Sequence, residues 1–296
     1  MITFRDLIHG FETLSLRGVP VIAHASFKSL GAVQGGPRAV LDALITTTGA
    51  LMMPAFTYET MVYPPLGPDR NGVDYKAEHA RRAGATSLLP VYFRADLPVD
   101  REIGSLPELL RRRPEARRSL HPILSFVGVN AEQALAYQSM ENPLGPIGAL
   151  AERGGYVLLI GVSQRANTSV HYAEKLAGRP QFLRWAATPR RVVRCPNFPG
   201  DSFGFDELAP RLKPYTRAVA IGNARMEAIP LQAMFNVVQT MIEKNPLALL
   251  CQRTDCRRCK SVREMVGQTE ETRSAAAGGT TRSAPQGFTQ PGPTHR

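Results

Sequence analysis

Apolar residues recur along the chain with two periods, and the alternation between them predicts the elements. Phe4, Leu7, Ile8, Phe11 and Leu14 have helical spacing with Thr3 placed to cap, so the chain opens on an amphipathic helix. Val19 to Ala25 then reads as a core strand. A helix carrying Val40, Leu41, Leu44 and Ile45 follows, with Pro37 in its first turn. Ala50 to Phe56 is a second buried strand, and Gly155 to Val162 a third, a continuous apolar run between glycines. After it Asn167 and Thr168 are capping residues and Gly178-Arg179-Pro180 is a stop, which bounds a short helix leaving the end of a core strand.

Weaker patterns fill the rest. Leu106 to Arg113 reads as a helix ended by Pro114, the stretch through Val129 as a strand, and Ala131 to Tyr137 as a short helix. Asn142 to Pro146 reads as a turn, and Arg191 to Cys195 and Ala218 to Ile221 as strands. A longer helix over about Leu231 to Glu243 presents Met234, Phe235, Val238, Met241 and Ile242 on one stripe. Between Thr57 and Ala85 the chain is polar and rich in Pro and Gly; a loop that long in a compact domain is usually functional, and it is placed to line an acceptor pocket. From 267 onward the composition loses apolar periodicity and reads as a disordered tail, leaving one domain over 1–266.

Composition and charge narrow the classes. The 296 residues supply ample core, and no stretch has the length and apolarity of a membrane span or a signal peptide. Cytoplasmic location is the expectation. The net charge of +11 would suit an anionic ligand, yet arginines are spread along the chain with no DNA- or RNA-binding motif, so no nucleic-acid partner is expected. The same charge argues poorly for a polycationic substrate.

The opening chemistry sits on the short helix. His171 and Glu174 are three apart and share its face, and a carboxylate beside an imidazole fixes the tautomer and stabilises the imidazolium. That is a candidate general base at the open end of an α/β sheet; the alternative is a surface helix with an incidental pair. Gly35 and Gly36 precede the helix that Pro37 opens, where exposed N–H groups and the macrodipole favour an anion. No Walker lysine or dinucleotide fingerprint accompanies them, so an ordinary strand-to-helix loop is the plainer reading.

These stretches together resemble the aminoglycoside 3-N-acetyltransferase family. His24-Ala25-Ser26-Phe27-Lys28-Ser29-Leu30-Gly31 with Gly35-Gly36 is similar to that family's first strand and loop, although Ala25 stands where the usual pair of serines begins. Gly49 to Thr57 is similar to its Gly-Thr-Leu-Val-Met-Pro-x-Phe-Thr strand, with Ala50 in place of the threonine. Arg112, Pro114, Arg118-Ser119, His121-Pro122 and Ser125-Phe126 fit a further signature, and Gly161-Val162, Thr168, His171 and Ala173-Glu174 match another. The resemblance implies a layered α/β/α sandwich, acetyl-CoA as donor and a small-molecule amine as acceptor. It implies His171 and Glu174 as the catalytic pair. The developing oxyanion needs a donor, and the Thr168 hydroxyl and the exposed N–H groups near the helix start are both candidates. Ser26, Leu30, Gly31, Gly35 and Gly36, with Ser119 and His121, are the implied contacts to the cofactor. An aminoglycoside 3-amino group is one acceptor, and a non-antibiotic metabolic or biosynthetic amine is the alternative. A non-catalytic binding member of the fold is a third reading, opposed by the joint retention of His171, Glu174, Ser119 and His121. Oligomeric state stays open.

Four cysteines complete the inventory. Cys251, Cys256 and Cys259 are closely spaced in a basic segment, and Cys195 is the remaining one. Together they would suit a structural tetrahedral zinc; reduced cysteines without metal are the plain alternative, since the family's chemistry requires none.

Overall fold

The computed structural model describes residues 1–83 and 91–278. Its helices are α1 (Phe4–Thr13), α2 (Gly36–Thr47), α3 (Tyr75–Ala83), α4 (Ser105–Arg111), α5 (Glu132–Leu135), α6 (Gly145–Glu152), α7 (Thr168–Leu176), α8 (Ala209–Leu212), α9 (Leu231–Lys244) and α10 (Arg257–Gly278). Its strands are β1 (Pro20–Ala25), β2 (Ala50–Pro54), β3 (Met61–Val62), β4 (Arg117–Arg118), β5 (Phe126–Val129), β6 (Tyr156–Ile160), β7 (Phe182–Ala187), β8 (Val192–Phe198), β9 (Arg217–Ile221) and β10 (Ala224–Pro230). None of the helices is long and apolar enough to cross a membrane.

Seven strands form one mixed sheet in the order β4-β5-β2-β1-β6-β10-β9. At its centre β1 runs parallel to both β2 and β6, with Ile22 opposite Met52 and His24 opposite Leu159. The outer pairs are antiparallel. A strand buried on both faces needs apolar residues at every position, which is why β6 is a continuous apolar run. Its alternate residues serve two cores. Val157 and Leu159 join Phe126, Val170, Phe235 and Val238 on one side, under α6, α7 and α9. Leu158 and Ile160 join Leu7, Phe11, Val40 and Leu44 on the other, under α1 and α2. Helices on both faces of one sheet make the expected three-layer sandwich.

Caps set the helix starts. The Thr3 hydroxyl accepts the Asp6 N–H at 3.2 Å while the Asp6 carboxylate accepts the Thr3 N–H at 2.8 Å, a reciprocal box that opens α1. Asn167 caps α7 through Oδ1, which accepts the Ser169 N–H at 3.1 Å.

Three segments differ from the sequence expectation. Gly145-Pro146 opens α6 and does not end in a turn, because proline in a first turn lacks only an N–H that would be unpaired anyway. The loop from Thr57 contains β3 and α3; β3 pairs with β7 to start a small antiparallel sheet, β3-β7-β8, beside the main one. Residues 84 and 85 of that loop lie outside the described residues. Helix α10 runs across the boundary drawn at 266, and 279–296 also lie outside them.

Candidate active site

The parallel strands β1, β2 and β6 end side by side, and a cavity of about 690 Å³ opens at that edge. His24 and Ala25 from β1, Met53 and Pro54 from β2, and Thr168 and His171 from α7 line it. Its far walls come from Phe56 just after β2, from Tyr58 and Met61 in the long loop, and from two segments, 198–203 at and beyond the end of β8 and 253–258 before and into α10. The long loop thus lines the cavity as its length and composition led us to expect.

The His171 ring is 8% exposed and its Nδ1 lies 2.8 Å from Oε2 of Glu174. Helical spacing places the two on one face, and packing of Val170 and Ala173 into the core turns that face to the cavity. With Glu174 ionised, Nδ1 carries the proton and Nε2 presents a lone pair. Phe205 packs edge-on to the ring with centroids 4.7 Å apart, which fixes its plane. Behind Glu174 stands Arg179, a residue the sequence reading treated only as part of a helix stop. Its Nε is 3.5 Å from Oε1 of Glu174, both side chains are buried, and its Nη groups donate to the carbonyls of Pro246 at 3.0 Å and Ala248 at 2.5 Å. A buried carboxylate remains charged when a cation faces it and hydrogen bonds fill its other oxygen. His171, Glu174 and Arg179 therefore form one buried array with its basic nitrogen at the cavity end. A cation directly after the helix stop was the sequence signal available for it.

The loop after β1 continues from the cavity wall at Ala25. Ser26 caps a short 3-10 turn, Phe27–Leu30, and Gly31 turns the chain at φ +82°. Gly35 and Gly36, at φ +80° and +63°, lead into α2. The Gly36 N–H is used by the Val33 carbonyl and Pro37 has none, so the first-turn N–H of Arg38 remains for an outside acceptor. A cation, Arg38, stands in that first turn, opposed to the macrodipole unless an anion sits between them. Exposed Lys28 and Arg38, with this N–H, fit the phosphates of a CoA-type donor.

Ser119 and His121 are placed elsewhere. They line a separate depression with Arg117, Leu120, Gln138 and Met140. The Ser119 hydroxyl accepts the Phe126 N–H at 2.8 Å, and His121 Nδ1 accepts the N–H groups of Ile123 and Leu124 at 3.2 and 2.9 Å. Burial pushes the His121 imidazole down to about 4, so it stays neutral with its proton on Nε2. Arg118 donates to Ser125 Oγ at 3.0 Å and to the Ala55 carbonyl at 2.7 Å, while Thr57 and Thr60 hydroxyls donate to the Pro122 carbonyl. The whole Arg-Ser-x-His-Pro-x-x-Ser-Phe stretch thus works as a clamp that holds Phe56 and Tyr58 in the cavity wall. Arg111, Arg112 and Arg113, the densest basic run, are consumed in ion pairs with Glu108, Glu115 and Asp42.

His24 is a site residue the sequence reading passed over. It is 7% exposed, lines the cavity, and its Nε2 has no hydrogen-bond partner among the described residues. Burial pushes its imidazole down to about 3, so it is a neutral donor or acceptor. Its histidine identity inside an otherwise apolar strand was the available signal.

The cysteines regroup. Cys251, Cys256 and Cys259 come together, but Cys195 does not join them: it lies in β8 opposite Arg184, and burial pushes its thiol up to about 12. Asp201 takes the fourth place. Strand pairing fixes Cys195 within the small sheet, which is the physical reason the four-thiolate set fails.

Known proteins resemble this chain in sequence and fold. An aminoglycoside N(3)-acetyltransferase III of Pseudomonas aeruginosa is 33% identical over 184 residues, covering 59% of this chain and 64% of its own. An aminoglycoside N(3)-acetyltransferase VII of Streptomyces paromomycinus is 37% identical over 168 residues, covering 55% and 56%. The chain thus matches less than two thirds of the length of these relatives. The fold superposes on the crystal structure of the YokD protein from Bacillus subtilis with a TM-score of 0.68 and 25% identity, over 83% of this chain and 94% of that one. The profile of aminoglycoside 3-N-acetyltransferases matches residues 22–243, from the middle of β1 through α9, and so takes in the cavity edge, the clamp and the His171 array. On that match, the chain belongs to the aminoglycoside 3-N-acetyltransferase family.

Proposed function

We propose that the protein is an acetyl-CoA-dependent N-acetyltransferase that moves an acetyl group to an amine, with the 3-amino group of an aminoglycoside as acceptor. The observation that carries this reading is the buried His171–Glu174–Arg179 array opening on a cavity of about 690 Å³. A bound acetyl-CoA supplies an electrophilic thioester carbonyl and a thiol leaving group. The chain's own residues supply the rest. An ammonium is not a nucleophile until it loses a proton, and Nε2 of His171 accepts that proton while Glu174 holds the charged ring. Negative charge growing on the acyl oxygen is met by Thr168 and the N-terminus of α7, which line the same cavity. Ser26, Leu30, Gly31, Gly35 and Gly36 shape the donor loop. Reduced cysteines and soluble small-molecule partners suit work in the cytoplasm.

Replacing Gly35 tests the donor loop. At φ +80° any side chain is strained, and a Cβ there would meet Ala39 Cβ at 3.1 Å, across the first turn that presents the free N–H. Gly35→Val is expected to weaken CoA binding in calorimetry with the folded state retained. An unchanged affinity would detach this loop from the donor.

A second reading keeps the chemistry and changes the acceptor to a non-antibiotic amine. The cavity lining favours it: Arg165, Arg253, Arg257 and Arg258 outnumber Glu102 and Asp201, an environment that repels a polycation. Release of CoA thiol, followed over a panel of amines that includes aminoglycosides, separates the two. Turnover with aminoglycosides supports the first reading, turnover with other amines alone supports the second, and no turnover with any amine sinks both.

A further inference from the structure

In the far wall of the cavity, away from His171, four ligand groups converge from two stretches of chain, one at residue 201 and one over 251–259. The sulfurs of Cys251, Cys256 and Cys259 and a carboxylate oxygen of Asp201 all lie within 4.8 Å of one another. The Cys251 and Cys259 sulfurs are 3.4 Å apart, far longer than the ~2.05 Å of a disulfide. Two thiolates on one tetrahedral zinc, each at ~2.3 Å, would stand about 3.8 Å apart, so a small adjustment closes the set.

Packing alone accounts for the thiols and not for the carboxylate. Cysteine is a good small hydrophobe, and the three are 4%, 9% and 1% exposed within the core. Asp201 is half-buried with a carboxylate oxygen beside the three sulfurs, a mixed thiol and carboxylate set of the kind a divalent cation draws together. The surroundings hold the ligands in place. Asp201 Oδ1 accepts the Phe203 N–H at 2.9 Å, Arg258 donates to the Gly200 carbonyl at 3.2 Å, and Arg263 donates to the Cys251 carbonyl at 2.5 Å. Cys256 directly precedes α10 and Cys259 lies in its first turn, so the helix start fixes the spacing of the two sulfurs.

We propose that Asp201, Cys251, Cys256 and Cys259 bind one zinc ion with a structural task. Four protein ligands fill a tetrahedral shell, which leaves no open position for chemistry. Each thiol loses its proton to solvent on binding, and the thiolate sulfurs donate to the metal. The segments so joined, 198–203 and 253–258, are the far walls of the cavity, so the ion would brace that side of the site. This does not depend on the acetyl-transfer reading.

Metal analysis of the full chain, expressed and purified under reducing conditions, is expected to find about one zinc per protein. Cys195→Ser should keep that zinc, whereas Cys259→Ser and Asp201→Ala should hold less. Cobalt substitution of the wild-type protein gives a readout free of folding defects in variants: thiolate-to-cobalt charge transfer with tetrahedral ligand-field bands is expected. A chelator should lower Tm and added zinc should restore it. Wild-type protein that carries no zinc, and takes up none when reduced and titrated with Zn²⁺ against a chromophoric chelator, would overturn the site. So would loss of zinc in Cys195→Ser, or a Cys251–Cys259 disulfide in the reduced preparation.

Discussion

His171→Ala is expected to cut kcat for acetyl transfer by roughly 10²–10⁴-fold, the usual contribution of a positioned general base, while acetyl-CoA affinity stays near that of the parent. The split follows from geometry. The ring faces the cavity at the N-terminal half of α7, whereas the donor loop is on the α2 side of the sheet edge. Truncation also removes the Phe205 ring contact, so a Tm measurement belongs beside the kinetics. Glu174→Gln should lose less, because an amide oxygen can still accept the Nδ1–H at the 2.8 Å separation although the charge is gone. If the folded alanine variant turns over at the parent rate, His171 is not the base, and His24 becomes the imidazole to test.

Arg179→Met is expected to be the most damaging change to stability. It keeps most of the side-chain volume but removes the cation facing Glu174 at 3.5 Å and the donors to the Pro246 and Ala248 carbonyls. Breaking a buried pair by deleting one partner typically costs about 3–5 kcal/mol, because the surviving charge stays buried and uncompensated. For a chain of 296 residues that corresponds to a Tm lower by about 5–8 °C. Activity should fall with it, since Glu174 would lose the buried guanidinium that holds it beside His171. Arg179→Met combined with Glu174→Gln should recover part of the Tm while remaining slow. Parent-like melting of the single variant would show that the pair contributes nothing to the fold.

The far wall of the cavity is rich in arginine. Phe203 is held between the guanidinium groups of Arg165, 4.0 Å from its ring centroid, and Arg253, at 4.7 Å. Arg257 is tied to Asp74 at 2.8 Å, which links α10 to the loop before α3. The far wall is therefore joined by side-chain contacts between separate segments, whereas the wall that carries His171 is built on a strand and a helix.

That division matches what could be read from the sequence. The unit from Gly155 to Leu176 was legible because each part has a local cause: an apolar run bounded by glycines, a capping asparagine, and a His–Glu pair at helical spacing. The same holds for α1, α2 and α9, whose stripes repeat within single segments. Strands β7 and β10 were not read, because charged residues such as Arg184, Arg225 and Glu227 interrupt their apolar pattern. In β10 the charges fall on alternate positions that antiparallel partners leave toward solvent, and in β7 Arg184 is buried against the rings of Phe182 and Phe198. Only the tertiary structure decided that Arg179 backs Glu174, that His121 spends its lone pair on its own turn, and that Asp201 stands where Cys195 was expected. Arg179 is aimed at Glu174 by its bonds to the distant Pro246 and Ala248 carbonyls, Asp201 meets the cysteines across some fifty residues, and His121 folds back on its own turn; periodicity carries no record of such contacts or turns.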